Sequence, residues 1–376
     1  MSKIAGFKAY DIRGKVPSEL NGELAYKIGR AYTKLIKANK VVIGYDIRKS
    51  STEIAEALTR GLTESGVDVI DIGLCGTEMI YFSTPYFEAD GGIMITASHN
   101  PAEWNALKLL NGKGEFLSAA DGEAILEKAR AGDYTYAAIK NLGEIKPLVG
   151  MDVKHINRVA AMDLVRLERI KEKKFRVVID SVNSVGGLIL PRLLHALGVD
   201  DIIELYGEPN GKFPHNPEPL PEHLSEISET MVREKADVGF VVDPDVDRLA
   251  IVCEDGTMFG EEYTLVAVAD YILSRTPGNT ASNLSSTRAL RDVTEGHGQS
   301  YFPAAVGEVN VVNAMKEHNC VIGGEGNGGV IYPGLHYGRD ALVGIALFLT
   351  HLAEKGMKCS ELRSSYPDYH ISKNKI

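Results

Sequence analysis

The chain has no closely spaced cysteine pair, no long hydrophobic run and no excess of basic residues, and each absence removes a class of function. Its four cysteines (Cys75, Cys253, Cys320 and Cys359) are scattered through 376 residues without a CxxC or similar pair. Neither a disulfide framework nor a zinc site is expected from them, and buried free thiols are. The segment Met1 to Gly14 is charged and lacks the apolar core of a signal peptide. No apolar run approaches the ~18 residues of a membrane span. The expectation is a cytoplasmic enzyme that does not engage a membrane. A formal charge of −10 argues against nucleic-acid binding, which normally needs a basic face. An acidic chain can still bind phosphate where its few cations converge in one cleft.

What is present fits a soluble globular protein of roughly two or three domains, with 44% hydrophobic and 24% charged residues. The 38 glycines sit mostly at abrupt turns. Short β-branched runs alternate with segments of helical period, the pattern of α/β layers. Val41 to Asp46, Val67 to Gly73 and Gly91 to Ser98 read as strands, with a helix over Thr52 to Ser65. Weakly patterned sequence around Gly132 to Gly150 marks a boundary. In a second unit, Phe175 to Asn183, DIIELYG, ADVGFVVD and Arg248 to Gly256 read as strands, and Ile189 to Gly198 as a helix. A third unit opens with a helix over Glu262 to Leu273 that looks strongly amphipathic. It continues through a strand before Asn283, the stretch Asn319 to Pro333 and a helix over Asp340 to Gly356. Hydrophobic strands that end in Gly- or Asp-rich loops recur, and in open α/β sheets ligands bind at the carboxyl ends of strands.

Two of these loops carry chemistry. VGFVVDPDVDR sets Asp243, Asp245 and Asp247 at alternate positions after a strand, and Pro244 disfavours helix. Alternate residues of an extended chain face one side, so the three carboxylates can converge on a hard cation, Mg²⁺ or Ca²⁺. An EF-hand loop fits the spacing of Asp243, Asp245, Asp247 and Glu254. It fails at the sixth position, where Arg248 stands instead of Gly, and at the strand-like flanks. The second loop, TASHNP, ends an apolar strand and exposes Ser98, a weak nucleophile unless a base, metal or cation assists it. His99 is adjacent, but neighbouring side chains commonly diverge. Lys108 reads as a cation facing a phosphoryl group, or as a proton carrier. A phosphorylated Ser98 beside a cation held by three aspartates would pair a phosphoryl donor with an ion that withdraws charge from it.

With these motifs in view the sequence resembles the α-D-phosphohexomutase superfamily, which includes phosphomannomutases, phosphoglucomutases and phosphoglucosamine mutases. The resemblance rests on KAYDIRG (Lys8 to Gly14), GYDIRKSS (Gly44 to Ser51), TASHNP, FPHNPEPLPE (Phe213 to Glu222), DPDVDR (Asp243 to Arg248) and GGEGNGG (Gly323 to Gly329). It spans essentially the whole chain in family order. It implies three consecutive related α/β domains, with mixed sheets sandwiched by helices, around a central cleft. On that reading residues 1–150 carry the phosphoserine loop, 151–255 the metal loop and 256–366 the sugar loop. Residues 367–376 would be the start of a fourth domain that is expected to be missing. The implied reaction interconverts hexose 1-phosphate and hexose 6-phosphate, of glucose or mannose. Phospho-Ser98 gives its phosphoryl group to the sugar, and a glucose or mannose 1,6-bisphosphate returns the other one.

The resemblance further implies that Ser98, Asp243, Asp245 and Asp247 hold one Mg²⁺. Arg13 and Lys108 would support the transferring group, with Lys108 a candidate general base. His99 would act directly or brace its loop. Arg248, Glu325 and Asn327 would face the hexose phosphate. Two departures stand out. Asn327 and Gly329 replace the serine and histidine common in the bacterial phosphomannomutase/phosphoglucomutase sugar loop, which leaves glucose, mannose and glucosamine phosphates open. No RPSGTEP-like phosphate loop occurs, so little or no mutase turnover is expected of this polypeptide. Phosphoglucosamine mutase, a sugar-phosphate-binding protein and a metal phosphatase are the competing readings. Oligomeric state is left open.

Overall fold

The computed structural model describes residues 6–8, 11–134 and 136–369; Ala9 and Tyr10 of KAYDIRG, and most of the segment assigned to a fourth domain, lie outside them. Fifteen strands form three mixed sheets. The first sheet holds β1 (Gly6–Lys8), β2 (Asp11–Lys15), β3 (Lys40–Tyr45), β4 (Asp68–Leu74), β5 (Gly91–Ile95), β6 (Trp104–Asn111) and β7 (Ile145–Pro147), in the order β1-β2-β6-β5-β3-β4-β7. The second holds β8 (Arg176–Asp180), β9 (Asp201–Leu205), β10 (Val238–Val242) and β11 (Leu249–Cys253), ordered β11-β10-β8-β9. The third holds β12 (Asn279–Asn283), β13 (Tyr301–Ala304), β14 (Cys320–Glu325) and β15 (Gly329–Ile331), ordered β13-β12-β14-β15.

One four-strand unit occurs three times. Its first strand lies inside, flanked by two parallel neighbours, and a hairpin returns an antiparallel strand to the edge. β3, β4, β5 and β6 form the first copy, β8 to β11 the second and β12 to β15 the third. Strands buried on both faces need continuous apolar runs, and VVIG, GGIMI, VGFVV and LAIVC provide them. Helices cover the sheets as parallel crossovers require. The boundary stretch after Gly132 adds β7, an exposed edge strand parallel to β4.

The helix Glu261–Leu273 is buried on nearly every side, so the amphipathic reading of this segment is replaced by that of an interior helix. Ala341–Lys355 is the same, buried continuously from Ala341 to Ala353. The periodicity misled because elements of the second unit pack against these helices as well as those of their own. One apolar cluster runs through all three units, with Ile80 and Met94 from the first, Val177 and Phe240 from the second, and Val266 and Phe348 from the third. Backbone hydrogen bonds stitch the units as well, from Thr77 N to Asp245 O (2.9 Å), Leu249 N to Gly328 O (3.1 Å) and Ala341 N to Val246 O (3.2 Å). All four cysteines are free and buried. Among the described residues no helix is long and apolar enough to cross a membrane.

Candidate active site

Each copy of the unit contributes the turn between its third and fourth strands. The turn from β5 to β6 carries Ser98 and His99, that from β10 to β11 carries the aspartates, and that from β14 to β15 follows Glu325 and contains Asn327. Topological equivalence therefore brings together residues far apart in sequence.

Ser98 is held in the left-handed region at φ 49°, and Val246, between the aspartates, at φ 59°. Non-glycine residues there cost about 1–3 kcal/mol and persist only when their surroundings dictate them. For the Ser98 loop the dictating group is Arg48. Its guanidinium is buried, pairs with Asp46 at 2.9 Å and donates to the carbonyls of Pro101 (2.7 Å), Asn100 (2.8 Å), Trp104 (3.1 Å) and Ser98. Asp46 also accepts from Ser51 (2.9 Å) and Thr96 (2.7 Å), and Thr96 Oγ1 accepts the amide of Ser98 at 2.9 Å. This turn aims Ser98 Oγ across the domain boundary to donate to Asp243 Oδ2 at 2.7 Å. It also brings His99 Nδ1 within 3.2 Å of Ser98 Oγ. The two neighbours converge because of the left-handed turn, against the expectation that they part.

Asp243, Asp245 and Asp247 are completely buried, and a donor oxygen of each lies within 4.8 Å of the others. Asp243 Oδ1 accepts the amides of Asp247 (3.2 Å) and Arg248 (3.1 Å). Burial and then the negative charges of Asp245 and Asp247 hold the Asp243 carboxyl well above the usual range. Burial also opposes ionisation of Asp245, but the Lys108 ammonium and hydrogen bonds from Lys108 and Thr77 outweigh it and hold that carboxyl below the usual range. Lys108, itself fully buried, donates to Asp245 Oδ2 (2.6 Å), Asp247 Oδ2 (3.0 Å) and Thr77 Oγ1 (3.2 Å). Asp245 Oδ1 and Asp247 Oδ1 are buried without hydrogen-bond partners. Converging hard oxygens with two orphaned acceptors match the donor set of a Mg²⁺ or Ca²⁺ ion.

The remaining residues expected at the site surround this centre. Arg13 pairs with Asp11 and donates to the Asn100 side chain, beneath the Ser98 loop. Arg248 pairs with Glu218 at 3.1 Å, and His99 Nε2 lies 3.8 Å from the same carboxylate. Burial, then Arg248 and Arg13, drive the His99 pKa down to about 2, so its imidazole is neutral. Glu325 accepts from Asn283 (2.7 Å) and Arg339 (2.9 Å), and Asn327 Oδ1 accepts the amide of Gly329 (3.2 Å) within its own turn.

Sequence reading missed Arg339. It is 1% exposed and bridges the metal and sugar loops, donating to Asp247 (2.7 Å) and Glu325 (2.9 Å) with Glu308 at 2.9 Å. A lone arginine just before the largely apolar helix Ala341–Lys355 signals a buried counter-charge somewhere. Nothing local says where. Thr77, Glu218 and Asn283 were likewise invisible as site residues.

Comparison with known proteins agrees with this architecture. Models of the phosphoglucomutase/phosphomannomutase alpha/beta/alpha domains I, II and III match residues 5–136, 153–256 and 260–369. A phosphoglucomutase/phosphomannomutase of Thermococcus kodakarensis is 36% identical, over 98% of this chain and 82% of that protein. A probable phosphoglucosamine mutase of Methanopyrus kandleri is 32% identical, over 98% of this chain and 81% of that protein. Among solved structures, a phosphoglucomutase/phosphomannomutase family protein of Burkholderia thailandensis superposes with a TM-score of 0.87 at 28% identity, covering 96% of this chain and 79% of that one. Three matched domains, in order and over nearly all of the described residues, lead to one conclusion: the chain belongs to the phosphoglucomutase/phosphomannomutase family of the α-D-phosphohexomutase superfamily.

Proposed function

We propose that this phosphohexomutase interconverts the 1- and 6-phosphates of glucose or mannose through a phosphoserine at Ser98 and a bisphosphorylated sugar. The observation that carries the reading is the contact of Ser98 Oγ with Asp243 at 2.7 Å, inside a buried aspartate triad clamped by Lys108. Domain boundaries near residues 150 and 255 fit the same reading.

Asp243, Asp245 and Asp247 would hold Mg²⁺, which supplies charge neutralisation on a phosphoryl oxygen. Lys108 fixes two of these carboxylates and lends positive charge to the transferring group. Arg13 steadies the loop through Asn100. In the half-reaction that rephosphorylates the enzyme, Ser98 Oγ attacks a phosphorus of the sugar bisphosphate and gives up its proton, while the phosphorus–oxygen bond to the sugar breaks and the freed sugar oxygen takes up a proton. Two acceptors stand at that atom, Asp243 Oδ2 at 2.7 Å and the neutral Nδ1 of His99 at 3.2 Å. Arg248 and Glu218 line the approach to His99, and Glu325 offers carboxylate oxygens to sugar hydroxyls.

Mass spectrometry of the protein incubated with Mg²⁺ and glucose 1,6-bisphosphate tests the proposal. One phosphate on the Ser98 peptide, removed by glucose 6-phosphate and absent from Ser98→Ala, is expected. Phosphate on another residue, or none on wild type, refutes it. A second reading, phosphoglucosamine mutase, is favoured by relatives of that name at 32–33% identity. Removal of the phosphate by glucosamine 6-phosphate in preference to the glucose and mannose esters would select it.

A further inference from the structure

Away from the aspartate triad, a second group of potential ligands meets where all three units pack together. His155 comes from the helix Met151–Ala160, at the start of the second unit. His336 and Asp340 come from the turn that leads into Ala341–Lys355. The first unit closes the group with aromatic rings: Phe82 lies 5.2 Å from the His155 ring and Tyr81 5.5 Å from that of His336. His155 is 0%, Asp340 1% and His336 8% exposed. None of the three has a role in the chemistry proposed above.

We infer that His155 Nε2, His336 Nε2 and Asp340 Oδ2 form a second cation site, of the nitrogen-rich kind that takes Zn²⁺ or Co²⁺. The three atoms lie within 4.8 Å of one another, with Asp340 Oδ2 2.9 Å from His155 Nε2 and 3.1 Å from His336 Nε2. Metal–ligand bonds of about 2.0–2.2 Å in a tetrahedron put neighbouring donor atoms about 3.3–3.6 Å apart. The two measured edges fall a few tenths of an ångström short, so the trio needs only slight spreading to admit an ion.

His336 Nε2 and Asp340 Oδ2 share a hydrogen bond at 3.1 Å, but hydrogen bonding does not account for His155. His155 is fully buried, yet neither of its ring nitrogens makes a hydrogen bond. Its Nε2 lies close to Asp340 Oδ2 without the alignment of a donor and acceptor. A buried ring nitrogen without a partner is costly, and a metal at Nε2 would satisfy that one. Asp340 is oriented for the task. Its Oδ1 is occupied by the amides of Leu342 (2.8 Å) and Val343 (3.1 Å), which leaves Oδ2 as a single, fixed donor. Two imidazoles and one carboxylate suit Zn²⁺ and Co²⁺, whereas the all-oxygen triad suits Mg²⁺. The two sites share no residue.

The test is a titration of chelator-stripped protein with Co²⁺ in the presence of excess Mg²⁺, read by the visible d–d bands of tetrahedral cobalt. One intense equivalent is expected, retained in Asp243→Asn and lost in His336→Gln and His155→Gln. No intense band, or a band lost in Asp243→Asn and kept in His336→Gln, overturns the assignment. Should the histidine variants not fold, X-ray absorption of the zinc-loaded wild type decides. A shell containing two imidazoles supports the site, and an oxygen-only shell refutes it.

Discussion

Replacement of Arg339 by Met should expose how the metal loop and the sugar loop are joined. The guanidinium serves Asp247, Glu325 and Glu308 at once, and all four groups are buried. Methionine fills much of the volume but leaves three carboxylates facing one another. Removing one partner of a buried ion pair costs about 3–5 kcal/mol. With an unfolding entropy of about 2.1 cal/mol/K per residue, that loss lowers Tm by about 4–6 °C in a chain of 376 residues. The loss should depend on pH. Burial, offset by Arg339, already pushes the Glu308 pKa up to about 7. Without the arginine, carboxyls of the cluster rise further in the folded state and stay ordinary in the unfolded one. The folded variant then binds more protons, and its stability falls as pH rises. Differential scanning calorimetry at about pH 6 and pH 8 should show a larger deficit at the higher pH. Adding Glu308→Gln should recover part of it, because one of the stranded charges is removed. An Arg339→Met protein that melts within about one degree of wild type at both pH values would sink the argument, since buried ion clusters do not lose their cation at no cost.

Three further outcomes are expected. Arg48→Lys keeps the charge but cannot reach four carbonyls, so it should cost about 2–3 kcal/mol and slow phosphorylation of Ser98 more than it alters substrate binding; quench-flow phosphorylation with a thermal melt checks this. Gly328→Ala places a Cβ 2.4 Å from Leu249 O at φ 85°, where L residues are strained, and should cost about 1–3 kcal/mol with weakened sugar binding, readable by calorimetry. For His215, burial lowers the pKa but its contact with Asp180 at 3.1 Å outweighs this and leaves it raised. The pair's stabilisation is therefore full below the unfolded value of about 6.5 and is lost as pH rises through the folded one, so Asp180→Asn should destabilise more at about pH 5.5 than at about pH 8.5 in urea melts.

Strand-to-loop transitions were the legible part of the fold. β3, β5, β8, β10 and β11 are near-continuous apolar runs stopped by polar turns, and each was read within a few residues. The turns with chemistry were legible too, because short side-chain spacings encode them: the alternating aspartates and the small residues around Ser98. Their partners were not. Lys108 meets Asp245 across 137 positions and Arg339 meets Asp247 across 92, and no periodicity records such distances. β6, the strand that carries Lys108 between β2 and β5, was overlooked as a strand because polar residues interrupt its apolar run. The interior helix Glu261–Leu273 was misjudged for the opposite reason. Its apolar faces answer to neighbours that include the second unit, and a single segment cannot reveal how many sides will be covered.

The three equivalent hairpin turns also bear on how the enzyme comes into being. Each sheet unit can form from contacts within its own stretch of chain, as domains made during synthesis commonly do. Ser98 leaves the ribosome well before Asp243, and Arg339 later still. Until the units dock, the strained turn at Ser98 lacks its acceptor and the aspartates lack Lys108. A half-made chain therefore owns every catalytic motif of its first unit and none of the active site, so competence arrives as a single assembly event.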